Sequence, residues 1–237
     1  MRLIAFLLAV FAAVGITAAP ASAQMFKTDN NKNAPKPTDK DDLWILDLST
    51  GGRVTILLRP DVAPKMVARV KKLTREHFYD GTIFHRVMDQ PLPIAQGGDP
   101  TGTGTGGSKL PDVPAEFNYL PHVRGAVSAA RAQDKNSANS QFFILFQPAL
   151  ELDKKYTVFG RVISGMQWVD KIHRGQPPAD PSRILHAYIG SDNPPPYQPA
   201  PAVTPANNPD ANIVLPGIAP AKKQPADSSS EPKPSQQ

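Results

Sequence analysis

Two short apolar-rich runs, LWILDL at 43–48 and RVTILL at 53–58, open the patterned part of the chain, and in the second Val54, Ile56 and Leu58 fall on one face. Period-two patterning rich in β-branched residues predicts strands, and Ser49-Thr50-Gly51-Gly52 between them predicts a hairpin turn. The period then changes: Val62, Met66, Val70 and Leu73 recur at helical spacing, with Asp61 as the candidate N-cap. Further short strands are predicted at 82–87, 94–96, 125–130, 141–145, 157–163 and 183–189, and a second helix at 166–173. About eight strands and two helices suit a mainly β, antiparallel barrel better than alternating parallel units.

Both ends of the chain lack this pattern. Residues 1–23 have a basic start at Arg2, an apolar run from Leu3 to Ile16 and a small-residue close at Ala21, Ser22 and Ala23. They read as a cleaved secretory signal with Gln24 as the mature start. The apolar run is shorter than the ~20 residues a membrane span needs, so no stable membrane anchor is expected. Residues 24–42 are polar and aperiodic and read as a flexible lead-in. From Ser191 to Gln237 prolines are too frequent for a regular helix or central strand, which predicts a disordered, partly extended tail. The folded domain is therefore expected at 43–190, in an exported protein of the periplasm, with secretion as the alternative.

Composition narrows the chemistry. The 237 residues are 40% hydrophobic, enough for one core, and include no cysteine. Thiol catalysis, disulfide exchange and cysteine metal sites are thereby excluded. The 43–190 segment holds 18 Lys and Arg against 13 acids. They are scattered, without the basic stripe and stacking aromatics of a nucleic-acid surface, so no nucleic-acid partner is expected.

The glycine run at 102–107 poses the main question. Gly102, Gly104 and Gly107 spell a dinucleotide fingerprint, and GTGTGGSK misses a nucleotide loop only by reversing Ser108 and Lys109. Both motifs need a helix to start at the glycines, and Pro111 and Pro114 block one. The run reads instead as the flank of a groove. His77, His85, His122, His173 and His186 show no metal-ligand spacing, and His85 reads as a buried hydrogen-bonding residue of a strand, not as a general base.

In order along the chain, FHRV, QGGDP, GTGG, AEF, NSANSQFFI and YTVFGRVISGM resemble the cyclophilin-type peptidyl-prolyl cis-trans isomerases, especially exported bacterial members. The resemblance covers nearly all of 43–190. It implies an eight-stranded antiparallel cyclophilin-like barrel capped by two helices, working as a monomer without cofactor or metal on proline-containing segments of exported proteins. By motif it implies catalytic roles for Arg86, for Gln96 in the groove, and for Phe143 at the floor of the proline pocket. Ile94, Ala130, Arg131, Gln141, Leu152 and Tyr156 are implied in substrate binding, Ala130 and Arg131 on the strand that pairs with substrate backbone.

Five positions depart from the usual pattern. Pro93 and Ile94 replace Phe-Met after a longer loop, Arg131 replaces a frequent asparagine, Tyr156 stands for a pocket histidine, and Glu151 for a tryptophan. These departures keep a second reading open, a barrel that binds proline-containing segments with little turnover.

Overall fold

The computed structural model describes residues 34–199. The expected signal at 1–23, and the parts of the lead-in and tail at 24–33 and 200–237, lie outside the described residues. The strands are β1 (Leu43–Leu48), β2 (Gly52–Leu58), β3 (Arg86–Met88), β4 (Ile94–Gly97), β5 (Ala126–Ala129), β6 (Phe142–Leu145), β7 (Val158–Ser164) and β8 (Ile184–Ile189). The helices are α1 (Pro64–Arg75) and α2 (Met166–Asp170).

All eight strands form one antiparallel sheet in the order β3-β4-β6-β5-β7-β2-β1-β8. The sheet curls toward closure because Ile83, ahead of β3, bridges Arg183, ahead of β8. That pairing also explains why β3 is shorter than its apolar run. Residues 82–84 exchange hydrogen bonds with Ser182 and Ile184, and only from Arg86 does the chain turn to β4.

The hairpin follows the sequence pattern: in β2, Gly52, Val54, Ile56 and Leu58 are covered while the residues between them are half-exposed. Gly52 is required because the Trp168 indole lies against it; a Cβ there would stand 2.2 Å from Trp168 Cε2. The barrel interior is aromatic-rich. Trp44 packs edge-on against Phe142 at 4.8 Å between centroids, and against Tyr79 at 5.2 Å. Such offset geometry adds about 0.5–1.5 kcal/mol per pair beyond simple burial.

Helix α1 buries Met66, Val67, Val70 and Leu73, as its spacing predicts. Its cap differs from expectation. Asp61 is drawn back to Arg59, with hydrogen bonds of 2.8 and 2.7 Å, and the N-cap position falls on Ala63, which makes no side-chain cap hydrogen bond. The Glu116 carboxylate instead accepts from the backbone N–H groups of Lys65 and Met66, at 3.0 and 2.9 Å. A carboxylate there satisfies orphan donors and meets the positive end of the helix.

The flanks touch the barrel where they are described. Asp41 and Asp42, in the 3-10 turn Lys40–Asp42, pair with Lys71 of α1, and Asp41 also meets Arg75. Beyond β8, the Tyr197 hydroxyl donates to the Leu48 carbonyl at 3.1 Å, and Arg53 donates to the Pro195 carbonyl at 2.6 Å. No helix among the described residues is long and apolar enough to cross a membrane.

Candidate active site

The site grows from the two-residue period of β6. In FFIL, Phe142 and Ile144 enter the barrel interior, so Phe143 and Leu145 must face the other way. There they join Met88, Ile94, Ala126, Ala130, Ala149 and Val158 in a second apolar cluster, against which Leu92, Leu120, Leu152 and Tyr156 are partly buried. Strand register then places Arg86 opposite Gln96, Gln96 opposite Phe143, and Phe143 opposite Ser128. Residues 42 positions apart thus form one cross-strand row. A row of this kind brings side chains within about 5 Å of their neighbours.

Within the cluster, Ile94 and Phe143 are 1% and 3% exposed, which makes them floor positions, while Leu92, Leu152 and Tyr156 form a half-exposed rim. The Tyr156 ring stands edge-on to Phe143 at 5.7 Å. Ile94 and Met88 are cross-strand partners within this cluster; Met88 carries no signal in sequence beyond its place two residues after Arg86.

A cavity of about 530 Å³ adjoins the cluster. Gln96, Ala130, Arg131 and Gln141 line it together with Gly104–Ser108, Asp112 and Asn139. Ala130 belongs to both the cavity and the apolar cluster, so the two are continuous. Strand β5 ends at Ala129, so Ala130 and Arg131 lie just beyond it, where Ala130 N–H donates to the Gln141 carbonyl at 3.0 Å.

The glycine run forms the cavity's flank, and the N–H groups of residues 102–106 are already used. Gly104 and Gly106 donate to Asp99 Oδ2 at 2.6 and 3.1 Å, and Thr101 donates to Oδ1 from both its backbone and its hydroxyl at 2.8 Å. Burial alone would raise the Asp99 pKa, but these hydrogen bonds from Thr101, Gly106 and Gly104 outweigh it and hold it at about 2. An internal carboxylate therefore occupies the place a nucleotide phosphate would need.

Gln141 fixes the other side of the run. Its Nε2 donates to the carbonyls of Gly104 and Gly106, at 3.0 and 2.8 Å, while its Oε1 accepts from Gln96 Nε2 at 2.8 Å. Both amide hydrogens of Gln141 are thus taken by the loop, and its carboxamide acts as a brace for Gln96. Arg86 is half-buried and its guanidinium makes no hydrogen bond or ion pair among the described residues. Among the described residues it is a half-buried cation with its donors unused.

Two histidines border this row. His85 is buried but lies outside any strand, and neither ring nitrogen has a hydrogen bond of ordinary geometry, contrary to the expected hydrogen-bonding role. Burial lowers its pKa, with the charge of Asp99 pulling the other way, so the ring is neutral at pH 7.

His122, which the sequence marks only as a histidine without metal-ligand spacing, lies next to the row. It is fully buried, stacks on Phe143 at 6.3 Å, and sits between Asp153 Oδ1 at 2.8 Å and Ser128 Oγ at 3.1 Å. Asp153 can only accept, so Nδ1 carries the proton. Burial keeps the ring below its ordinary pKa against the pull of Asp153. No group of His, Asp and Glu among the described residues could hold a metal ion.

The chain is similar to several known proteins. Residues 45–189 match the family described as cyclophilin type peptidyl-prolyl cis-trans isomerase/CLD. A probable peptidyl-prolyl cis-trans isomerase of Brucella suis biovar 1 is 46% identical over 170 residues, 65% of this chain and 85% of that protein. Peptidyl-prolyl cis-trans isomerase B of Bacillus subtilis is 42% identical over 129 residues, 54% of this chain and 88% of its own. Among solved structures, a cyclophilin of Hirschia baltica superposes with a TM-score of 0.60 at 30% identity, covering 66% of this chain and 77% of that one. A Cryptosporidium parvum cyclophilin-type isomerase crystallised in the presence of the dipeptide Ala-Pro gives 0.57 at 29%, covering 62% and 98%.

Proposed function

The chain belongs to the cyclophilin-type peptidyl-prolyl cis-trans isomerase family, and from that premise we propose that Arg86, Gln96 and Phe143 carry the isomerisation of X-Pro bonds in exported proteins. Rotation about such a bond must break amide resonance, against a barrier of ~18–20 kcal/mol and over tens to hundreds of seconds unaided. No bond is made or broken, so neither nucleophile nor metal is needed.

As the amide twists, the lone pair of the proline nitrogen localises, and a donor aimed at it gains strength over either planar ground state. Arg86 offers such a donor because its guanidinium stays charged and no neighbour among the described residues engages it. The proline ring would rest on Phe143 within the rim of Leu92, Leu152 and Tyr156. Gln96, braced by Gln141, would meet a substrate carbonyl. The residues preceding the proline would run along Ala130 into the cavity beside the glycine run, with Arg131 at its edge.

The observation that carries this reading is the cross-strand row that sets an unengaged guanidinium beside a floored apolar socket. A module built only to bind has no need of that buried-edge cation, which favours turnover over the binding-only alternative. The test is a protease-coupled assay on a Xaa-Pro peptide: accelerated cis-to-trans conversion is expected, and its absence would return the binding-only reading. From the signal-like pattern of residues 1–23 we further propose that the mature protein works as a monomer in the periplasm, with secretion as the alternative. N-terminal sequencing of the protein released from the periplasm should begin at Gln24, and recovery of an intact Met1 in the cytoplasm would overturn it.

A further inference from the structure

The loop that carries Leu152 and Tyr156 is anchored at Asp153 by His122, and at Lys155 by a residue from the opposite side of the pocket. Arg131 Nη1 donates to the carbonyls of Ala132 and Gln133, at 2.8 and 3.2 Å, and Nη2 donates across to the carbonyl of Lys155 at 3.1 Å. The guanidinium carbon also stands 4.6 Å from the centroid of the Tyr156 ring. That ring in turn meets Phe143 edge-on. The anchored carbonyl directly follows Lys154, whose φ of 58° is left-handed and unfavourable for a residue with a side chain. A turn of this kind persists where its surroundings hold it.

We propose that Arg131 is a positioning residue: it straps the 150–156 loop to the 131–133 loop and holds Tyr156 as a wall of the proline socket, and so sets peptide affinity through Tyr156 and not by touching the peptide. The inference rests on the reading of the Phe143 cluster as that socket. A planar fork with several donors can span two loops and stack on a ring at once, whereas lysine offers a single point charge.

The test measures the affinity of a Xaa-Pro peptide by NMR titration, and kcat separately, for the mature chain and its variants. Folding of each is checked by circular dichroism. Arg131→Met should weaken binding about tenfold, the size of a partly desolvated cation–ring contact, with a much smaller fall in kcat because Arg86 is untouched. Arg131→Lys should fall between the two. In a Tyr156→Leu background, Arg131→Met should cost little more, since residues acting as one unit do not add.

Full additivity of the two substitutions, or undiminished affinity in Arg131→Met, would overturn the strap. Absence of turnover in a chain that still binds peptide would instead count against the isomerase reading and leave the strap measurable.

Discussion

Gln96 and Gln141 face each other with a single hydrogen bond of 2.8 Å, and through it the strand partner of Arg86 is tied to the glycine run. Gln141→Leu keeps a similar volume but leaves the carbonyls of Gly104 and Gly106 and the amide of Gln96 without partners. Leaving buried groups unmet costs about 1–3 kcal/mol, so a lower melting temperature and a raised KM are expected together. Equal values for both would show that Gln141 is not needed to hold the loop beside Asp99 and Asn139.

That brace also marks where sequence reading stops. The alternation of Val54, Ile56 and Leu58 and the helical spacing of Met66, Val70 and Leu73 are local, and each appears in the structure as its period implies. The cap of α1 is not local: Asp61 stands nearby, yet Glu116, 50 positions from Met66, does the work. The row from Arg86 to Ser128 depends on which distant strands pair and in what register, which no single run of residues encodes. Family resemblance could point to Arg86, Gln96 and Phe143, but not to Met88 behind the pocket or His122 beneath Phe143. Nor could it show that Arg131, expected to lie on a strand beside substrate backbone, spends its side chain on Tyr156.

Arg86 is the place to separate catalysis from folding. Its guanidinium supports no neighbour among the described residues, so Arg86→Ala should leave the melting temperature nearly unchanged while turnover falls at least tenfold, or ~1.4 kcal/mol. Phe143→Ala should behave differently, losing ~3–5 kcal/mol of stability as well as activity, because that ring fills the second apolar cluster. Equal turnover in Arg86→Ala would remove it from the mechanism.

Asp99 makes the fold sensitive to acid. Its folded pKa of about 2 lies below the ordinary 3.8, so its contribution is fully present above pH 3.8 and is lost as pH falls toward 2. The difference corresponds to about 2 kcal/mol. In Asp99→Asn the amide cannot accept at both positions from Gly104, Gly106 and Thr101, and the run loses anchoring at every pH. Urea denaturation should therefore show a stability gap between the two proteins at pH 5 that narrows toward pH 2. A gap that stays constant across this range would mean the charge of Asp99 is not what holds the loop.

Glu151 bears on inhibition by cyclosporin, the cyclic peptide for which the family is known. It is exposed in the 3-10 turn Leu150–Leu152, at the position where many members have a tryptophan. An indole there would present an N–H donor and a broad apolar face, whereas a carboxylate offers acceptors and a negative charge to the same ligand carbonyl. A hydrogen bond lost with its partner left unmet costs ~1–3 kcal/mol, roughly one to two decades of affinity. Trp168 cannot take over, because its indole already packs on the Gly51-Gly52 turn. The protein should thus isomerise peptides while resisting cyclosporin, and Glu151→Trp should tighten inhibition by at least tenfold with kcat little altered. Tight inhibition of the unmodified protein, or no gain in the variant, would show that position 151 does not face the bound ligand.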